Sequence, residues 1–295
     1  MKNSKYNKKG FFEGWYFKHQ CDDRSIAFIP GVNIDRNGLK YAFIQIITNE
    51  KTYNIKYDFK DFSISKDKLT IKIKDNLFSK NGLILNVVSN EIKVKGKLTY
   101  ENLTPIKGDI MGPFALCPFM ECNHGIISLH HMVSGKLSIN NEDEIIENGI
   151  GYIEKDWGSS FPKSYLWVQG NDFKNEKASI MVSIADIPFL GLEFKGCIAC
   201  VLYKGKEYRL ATYNGVKIIN YNERGLIIKR GKYKLEIEIN EDYPQKLLAP
   251  DGGEMKRTIY ENISCTARFK FYIKNKIIFN LESKNASFEY VPVSN

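Results

Sequence analysis

Two carboxylates, Glu154 and Asp156, stand two residues apart in the run Gly151-Tyr-Ile-Glu-Lys-Asp-Trp-Gly158. On an extended strand that spacing puts both on one face and turns Lys155 to the other. A carboxyl group walled by apolar side chains loses solvation, which disfavours its ionised form and keeps a proton available near neutral pH. The chemistry to expect is general acid catalysis. The same spacing also serves a wet strand face on which the acids pair with lysines. Two of the three tryptophans, Trp157 and Trp167, lie close by in sequence, as do Phe161 and Tyr165. Trp15 and Tyr16 form a second aromatic pair near the start of the chain. Such rings line a hydrophobic cavity or stabilise a cation by roughly 0.5–2 kcal/mol each, depending on desolvation. Gln169 adds an amide, and His124 is a candidate wall residue. Each ring taken singly reads first as a core residue.

Other chemistries find no pattern. Adjacent His130 and His131 face apart on a strand, and no His-x-Glu or His-Glu-x-x-His string occurs, so no metal is expected. No glycine-rich phosphate loop, Walker lysine or Gly-x-Ser-x-Gly elbow is present, and no cofactor is expected. Cys197-Ile-Ala-Cys200 lies in an apolar strand-like run with no second pair, which reads as structural burial.

The elements that position these residues read as strands. Glu13, Trp15 and Phe17 alternate with Gly14 and Tyr16. The strand from Ser25 to Val32 is expected to break at Pro30-Gly31, and Asn37-Gly38 signals a hairpin. Leu69, Ile71 and Ile73 alternate with Thr70, Lys72 and Lys74. Turn residues recur roughly every eight to twelve positions, the spacing of antiparallel barrels and sandwiches. No window carries a 3.6-residue apolar period. The Pro105–Pro118 stretch and the run from Asn240 to Glu254 read as loops. Between them, Trp157-Gly158 and Phe161-Pro162 make a corner, with Tyr165, Trp167 and Gln169 sharing one face of the strand beyond. The fold class is all-β, with an N-terminal domain over 10–158 and a C-terminal domain over 159–295.

At 295 residues, 43% hydrophobic and 26% charged, the composition is that of a soluble globular protein. The net charge of +9 is spread along many strands in the sequence, which argues against nucleic acid and leaves room for weak peripheral attraction to an anionic membrane. The polar, basic start lacks an apolar signal region, so a cytoplasmic location with reduced thiols is expected. Oligomeric state is not readable.

Phe11-Phe-Glu-Gly-Trp-Tyr-Phe-Lys18, Met111-Gly-Pro-Phe114, Gly151-Tyr-Ile-Glu-Lys-Asp-Trp-Gly158, Phe161-Pro162 and Trp167-Val-Gln169 resemble the tocopherol cyclase family, in the family's order. The resemblance implies two lipocalin-like β-domains related to carotenoid hydratase and Diels–Alderase-like proteins. It implies acid-catalysed ring closure, in which a protonated prenyl double bond is captured by a phenol oxygen. Glu154 falls where the family keeps a carboxylate. Asp156 falls where plant cyclases carry Asn, which makes it the weaker candidate for the acid. Around Met120 to Met132 the chain resembles the bacterial branch, and its abundance of Lys, Asn and Ile fits an AT-rich bacterial genome. The expected partner is a small hydrophobic ligand: a prenylated quinol or isoprenoid-type substrate for an enzyme, or an isoprenoid or lipid for a non-catalytic carrier.

Overall fold

The computed structural model describes residues 4–65, 69–117, 120–174, 176–189, 192–241 and 243–292. Among them every long element is a strand and the helical pieces are short 3-10 turns. The first sheet contains β1 (Phe11–Cys21), β2 (Arg24–Ile34), β3 (Lys40–Thr48), β4 (Thr52–Asp58), β5 (Phe62–Ser65), β6 (Thr70–Ile73), β7 (Asn76–Ser79), β8 (Gly82–Val88), β9 (Lys93–Glu101), β10 (Cys122–Ile139) and β11 (Glu142–Gly158). The second contains β12 (Tyr165–Gly170), β13 (Ala178–Phe189), β14 (Leu192–Tyr203), β15 (Lys206–Ala211), β16 (Lys217–Asn222), β17 (Gly225–Arg230), β18 (Tyr233–Glu241), β19 (Gln245–Asp251), β20 (Glu254–Ile273) and β21 (Lys276–Val291). Every pairing whose register is described is antiparallel.

The chain divides into two compact units. One comprises Met1–Pro105, Ile126–Ser160 and Leu248–Arg257; the other comprises Ile106–Gly125, Phe161–Leu247 and Thr258–Asn295. In each sheet the first strand pairs with the last, β1 with β11 and β12 with β21, and meanders run outward on either side. The first sheet therefore ends at β4 and β5, and the second at β15 and β16. Laid flat, eleven strands would hold β4 and β5 about 48 Å apart. Only Phe59–Asp61 separates them in the chain, a reach of about 15 Å, so the sheet must curl. The second sheet curls too: Tyr208 on β15 and Tyr233 on β18 have ring centroids 5.5 Å apart. Among the described residues neither sheet closes into a barrel by hydrogen bonding, which corrects the barrel half of the barrel-or-sandwich expectation. At each seam the chain passes through a 3-10 turn, Phe59–Asp61 in the first sheet and Thr212–Asn214 in the second, rather than a two-residue hairpin.

The concave faces are filled by side chains. Phe17, Phe28, Ile44, Phe78 and Leu98 are among the core of the first unit; Val168, Val182, Leu235, Phe269 and Phe271 are among that of the second. Pro30 does not interrupt β2, which runs unbroken from Arg24 to Ile34. The β1–β2 register skips Ile29 and Pro30, so the missing proline N–H falls at a gap in the ladder. Gly31 beside it is required by close approach: a Cβ there would lie 2.4 Å from the Phe43 ring. The Asn240–Glu254 run is likewise no loop. Gln245–Asp251 pairs with β20 through a Gly252-Gly253 turn whose φ values, 60° and 79°, suit glycine. Asp242 in that run, and Pro118 of the expected Pro105–Pro118 loop, lie outside the described residues. Cys197 and Cys200 are buried as expected, and burial pushes both thiols up to about 12.

Candidate functional site

In the first unit β1 and β11 form the ladder that carries the acids. Tyr16 lies directly opposite Glu154, Gly14 opposite Asp156, and Lys18 opposite Tyr152. Strand alternation places all six on one side, the convex side of the curled sheet. This side is buried nonetheless: Tyr16 is 6% exposed, Glu154 5% and Lys18 0%. The Tyr152 hydroxyl donates to Oε2 of Glu154 at 2.5 Å. Burial first, and the Glu154 carboxylate second, push Tyr152 well above the usual phenol range, so it is the donor in this pair. The Tyr16 ring meets the Tyr152 ring edge-on at 6.5 Å. Asp156 shares the face but is only half-buried.

The concave side of the same ladder holds Glu13, Trp15, Lys155 and Trp157. Glu13 is fully buried and accepts from Lys155 at 2.5 Å, Lys5 at 2.6 Å and the Tyr6 hydroxyl at 2.6 Å. Burial alone would raise this carboxyl; Lys155 and then Lys5 outweigh it and hold it below the usual carboxylate value. The Lys155 ammonium lies 4.4 Å from the Trp157 ring centroid and 5.4 Å from that of Trp15. Trp15 and Trp157 thus belong with the Glu13 pair, on the other side of the ladder from Glu154. The sequence singled out neither Glu13 nor Tyr152. The Tyr152-x-Glu154 spacing was a usable signal for the second, since period two puts both on one face; nothing local announces the Glu13 ion pair.

In the second unit Tyr165, Trp167 and Gln169 share the convex face of β12, while Leu166 and Val168 enter the core. Trp167 lies opposite Glu289 on β21, and Glu289 lies opposite Glu261 on β20. The Tyr165 hydroxyl donates to Oε2 of Glu289 at 2.5 Å, and Phe161 packs edge-on against Tyr165 at 6.0 Å. Gln169 is 1% exposed, and both its amide atoms lack a hydrogen-bond partner among the described residues. His124, also buried, lies in the Ile106–Gly125 segment of this unit. Glu261 and Glu289 escaped the sequence reading because their pairing depends on strand register alone.

A family model described as tocopherol cyclase-like matches residues 72–290. The chain belongs to the tocopherol cyclase-like family. Within that family the match to a curated relative is partial: the probable chloroplastic tocopherol cyclase of Oryza sativa subsp. japonica is 29% identical over 109 residues, which span 35% of this chain and 23% of the rice protein. Two solved structures share the fold over nearly the whole chain. Kievitone hydratase from Nectria haematococca has a TM-score of 0.54 at 14% identity, covering 96% of this chain and 89% of its own. A structure assigned as AttH from Nitrosomonas europaea has a TM-score of 0.54 at 12% identity, covering 95% and 92%. The family-model match takes in Tyr152 and Glu154 as well as Tyr165, Trp167 and Glu289.

Proposed function

We propose that this protein is an acid catalyst that closes a ring on, or adds to, a prenylated quinol or related isoprenoid-type hydrophobic substrate, with Glu154 as the proton donor. The observation that carries the reading is the Tyr152–Glu154 pair, a buried carboxyl whose Oε2 is held by a phenol that keeps its proton. In the step proposed, the Glu154 carboxyl gives its proton to one alkene carbon and a tertiary cation forms on the other. A substrate hydroxyl oxygen bonds to that cation, and its proton returns to the Glu154 carboxylate. No atom is gained or lost. Tyr152 fixes the carboxyl, and the Tyr16 ring opposite can face the cation, worth roughly 0.5–2 kcal/mol. Asp156 is the lesser candidate for the donor, because it is only half-buried on the same face.

The units read as lipocalin-like meanders whose concave sides are packed with their own side chains. This favours a ligand on the convex, polar-lined faces over one within the sheets. On the second unit Tyr165, Trp167 and Gln169 offer such a face for a hydrophobic ligand carrying a hydroxyl, since a glutamine amide can both donate to and accept from one.

The test is incubation of the purified protein with a prenylated hydroquinone, followed by chromatography and mass spectrometry. Ring closure gives a product of unchanged mass and altered retention; addition of water raises the mass by one water. A ligand bound tightly but always recovered unaltered would sink the enzyme reading in favour of the carrier, for which both tyrosine–carboxylate pairs serve recognition.

A further inference from the structure

We propose that the turn-bearing end of the second unit is a docking surface for anionic lipid bilayers. Lysines scattered along the sequence meet there. The β12–β13 connection brings Lys174, the β14–β15 turn Lys204 and Lys206, the β17–β18 turn Lys232, and the β20–β21 turn Lys274 and Lys276; all six are exposed. Backbone hydrogen bonds tie these connections together, from the Lys204 amide to the Lys177 carbonyl at 2.9 Å and from the Lys274 amide to the Lys232 carbonyl at 2.8 Å. Beneath them lies one ring cluster: Tyr208 meets Tyr233 at 5.5 Å and Phe271 at 5.0 Å, Phe271 meets Phe279 at 5.6 Å, and Phe279 meets Tyr203 at 4.9 Å. The lysines therefore form a single patch over an aromatic floor.

Nearby acids are already engaged. Glu176 sits 3.4 Å from Lys204, the Asp172 carboxylate accepts from Asn285, and Glu207 pairs with Arg209. Lys204 and Lys274 occupy left-handed turn positions, with φ of 48° and 50°, that glycine or asparagine would fill more readily. The patch is thus net positive.

Its chemistry fits a bilayer better than a nucleic acid. The cations sit on turn tips at a blunt end rather than along a groove that would track a phosphate backbone. Lys204, Lys206 and Lys232 lie 5.0–5.4 Å from the ring centroids of Tyr203, Tyr208 and Tyr233, amphipathic rings suited to the headgroup zone. Ile277, 53% exposed beside Lys276, offers an apolar contact at the same edge. Basic side chains near an anionic leaflet are attracted by its surface potential over about one Debye length.

The test is co-sedimentation of the full chain with phosphatidylserine-containing vesicles and with pure phosphatidylcholine vesicles. Binding to the first alone is expected, with release as salt is raised from about 0.05 to about 0.5 M. A variant carrying Lys204→Gln, Lys206→Gln, Lys232→Gln, Lys274→Gln and Lys276→Gln should bind at least a hundredfold more weakly, at about fivefold per lysine. A charge-matched control with Lys72→Gln, Lys74→Gln, Lys93→Gln, Lys95→Gln and Lys97→Gln in the first unit should bind like the wild type. In the wild type, vesicles should slow amide exchange in the 203–206, 231–234 and 273–278 segments. Equal binding to neutral vesicles, equal loss in the control, absence of protection there, or tighter retention on a DNA duplex at matched phosphate would each overturn the proposal. None of these readouts depends on what the protein does to a ligand.

Discussion

The two units are built to one strand order and carry different side chains on it. In each, the first strand pairs with the last, and a glutamate on the last strand faces an aromatic residue on the first: Glu154 faces Tyr16, and Glu289 faces Trp167. Each glutamate accepts a tyrosine hydroxyl at 2.5 Å. The tyrosine comes from the same strand in the first unit, two residues before Glu154, and from the neighbouring strand in the second. The concave faces differ more. The first unit buries Glu13 with two lysines, and buries His19 and His131; its counterpart packs Leu166 and Val168 where the first has Trp15 and Phe17. The turn ends differ in sign. Where the second unit gathers lysines, the matching turns of the first expose Asp22, Asp23, Glu50, Glu91, Glu142 and Asp143, with Arg24, Lys51 and Lys93 among them. The lesson is that topology fixes where a carboxyl falls, while the residues around it decide what it can do.

The sharpest way to break the comparison is to treat the two glutamates alike. If Glu154 is the acid, Glu154→Gln should cut turnover on a prenylated hydroquinone by about 10²–10⁴-fold while ligand binding is kept. Asp156→Asn should cost far less, and Glu289→Gln should leave turnover near the wild-type rate. Equal losses in the two glutamine variants would mean that the pairs are functionally equivalent; a fully active Glu154→Gln would remove it as the acid.

The ion pair behind the ladder comes next. Glu13→Gln leaves Lys5 and Lys155 without their carboxylate and should destabilise by about 3 kcal/mol, the low end for breaking a buried pair because both lysines can reach water. The matching position, three residues before Trp167, is Ser164, where alanine should cost about 1 kcal/mol or less. Urea midpoints for both variants check this. A neutral Glu13→Gln would show that the charged pair adds nothing beyond packing.

Acid should find the first unit before the second. Burial holds His19 down to about 3, and burial with neighbouring His19 and His130 holds His131 down to about 2. The unfolded chain takes up a proton at each near pH 6.5, whereas the folded state does not, so stability is complete above that pH and falls as pH drops toward 3. The slope approaches about 1.4 kcal/mol per pH unit for each histidine. Amide exchange between pH 7 and pH 5 should rise first in β1, β9 and β10, whose His19, Tyr100 and His131 form one contact chain. A uniform rise across both sheets would count against it.

The smallest effect concerns the basic end. Lys217 lies directly opposite Lys229, both exposed, and like charges so placed repel. Lys217→Glu should therefore stabilise by about 0.5 kcal/mol at low salt and by less at high salt. A salt-independent change would point to a cause other than charge.

Alternation alone was enough to reveal much of this. Period-two patterns and regular turn residues identified an all-β chain. Chemistry-bearing residues at even spacing put Glu154 with Asp156, and Tyr165 with Trp167 and Gln169, on shared faces. The motif strings pointed to the family that the chain proves to match. Pro30 was misread because a strand tolerates proline only where its neighbour's ladder has a gap, and that gap lies on β1, not in the local string. The Gly252-Gly253 hairpin was misread because Pro250 and the two glycines look like loop locally, while the strand before them exists through its pairing with β20. The Glu289–Glu261 row, the burial of Glu13 against Lys5 and Lys155, and the gathering of lysines from four distant turns were likewise out of reach. Each depends on which strands pair and in what register. Side-chain period is a property of one strand and can be read along it; register is a relation between strands far apart in sequence, and only the folded sheets decide it.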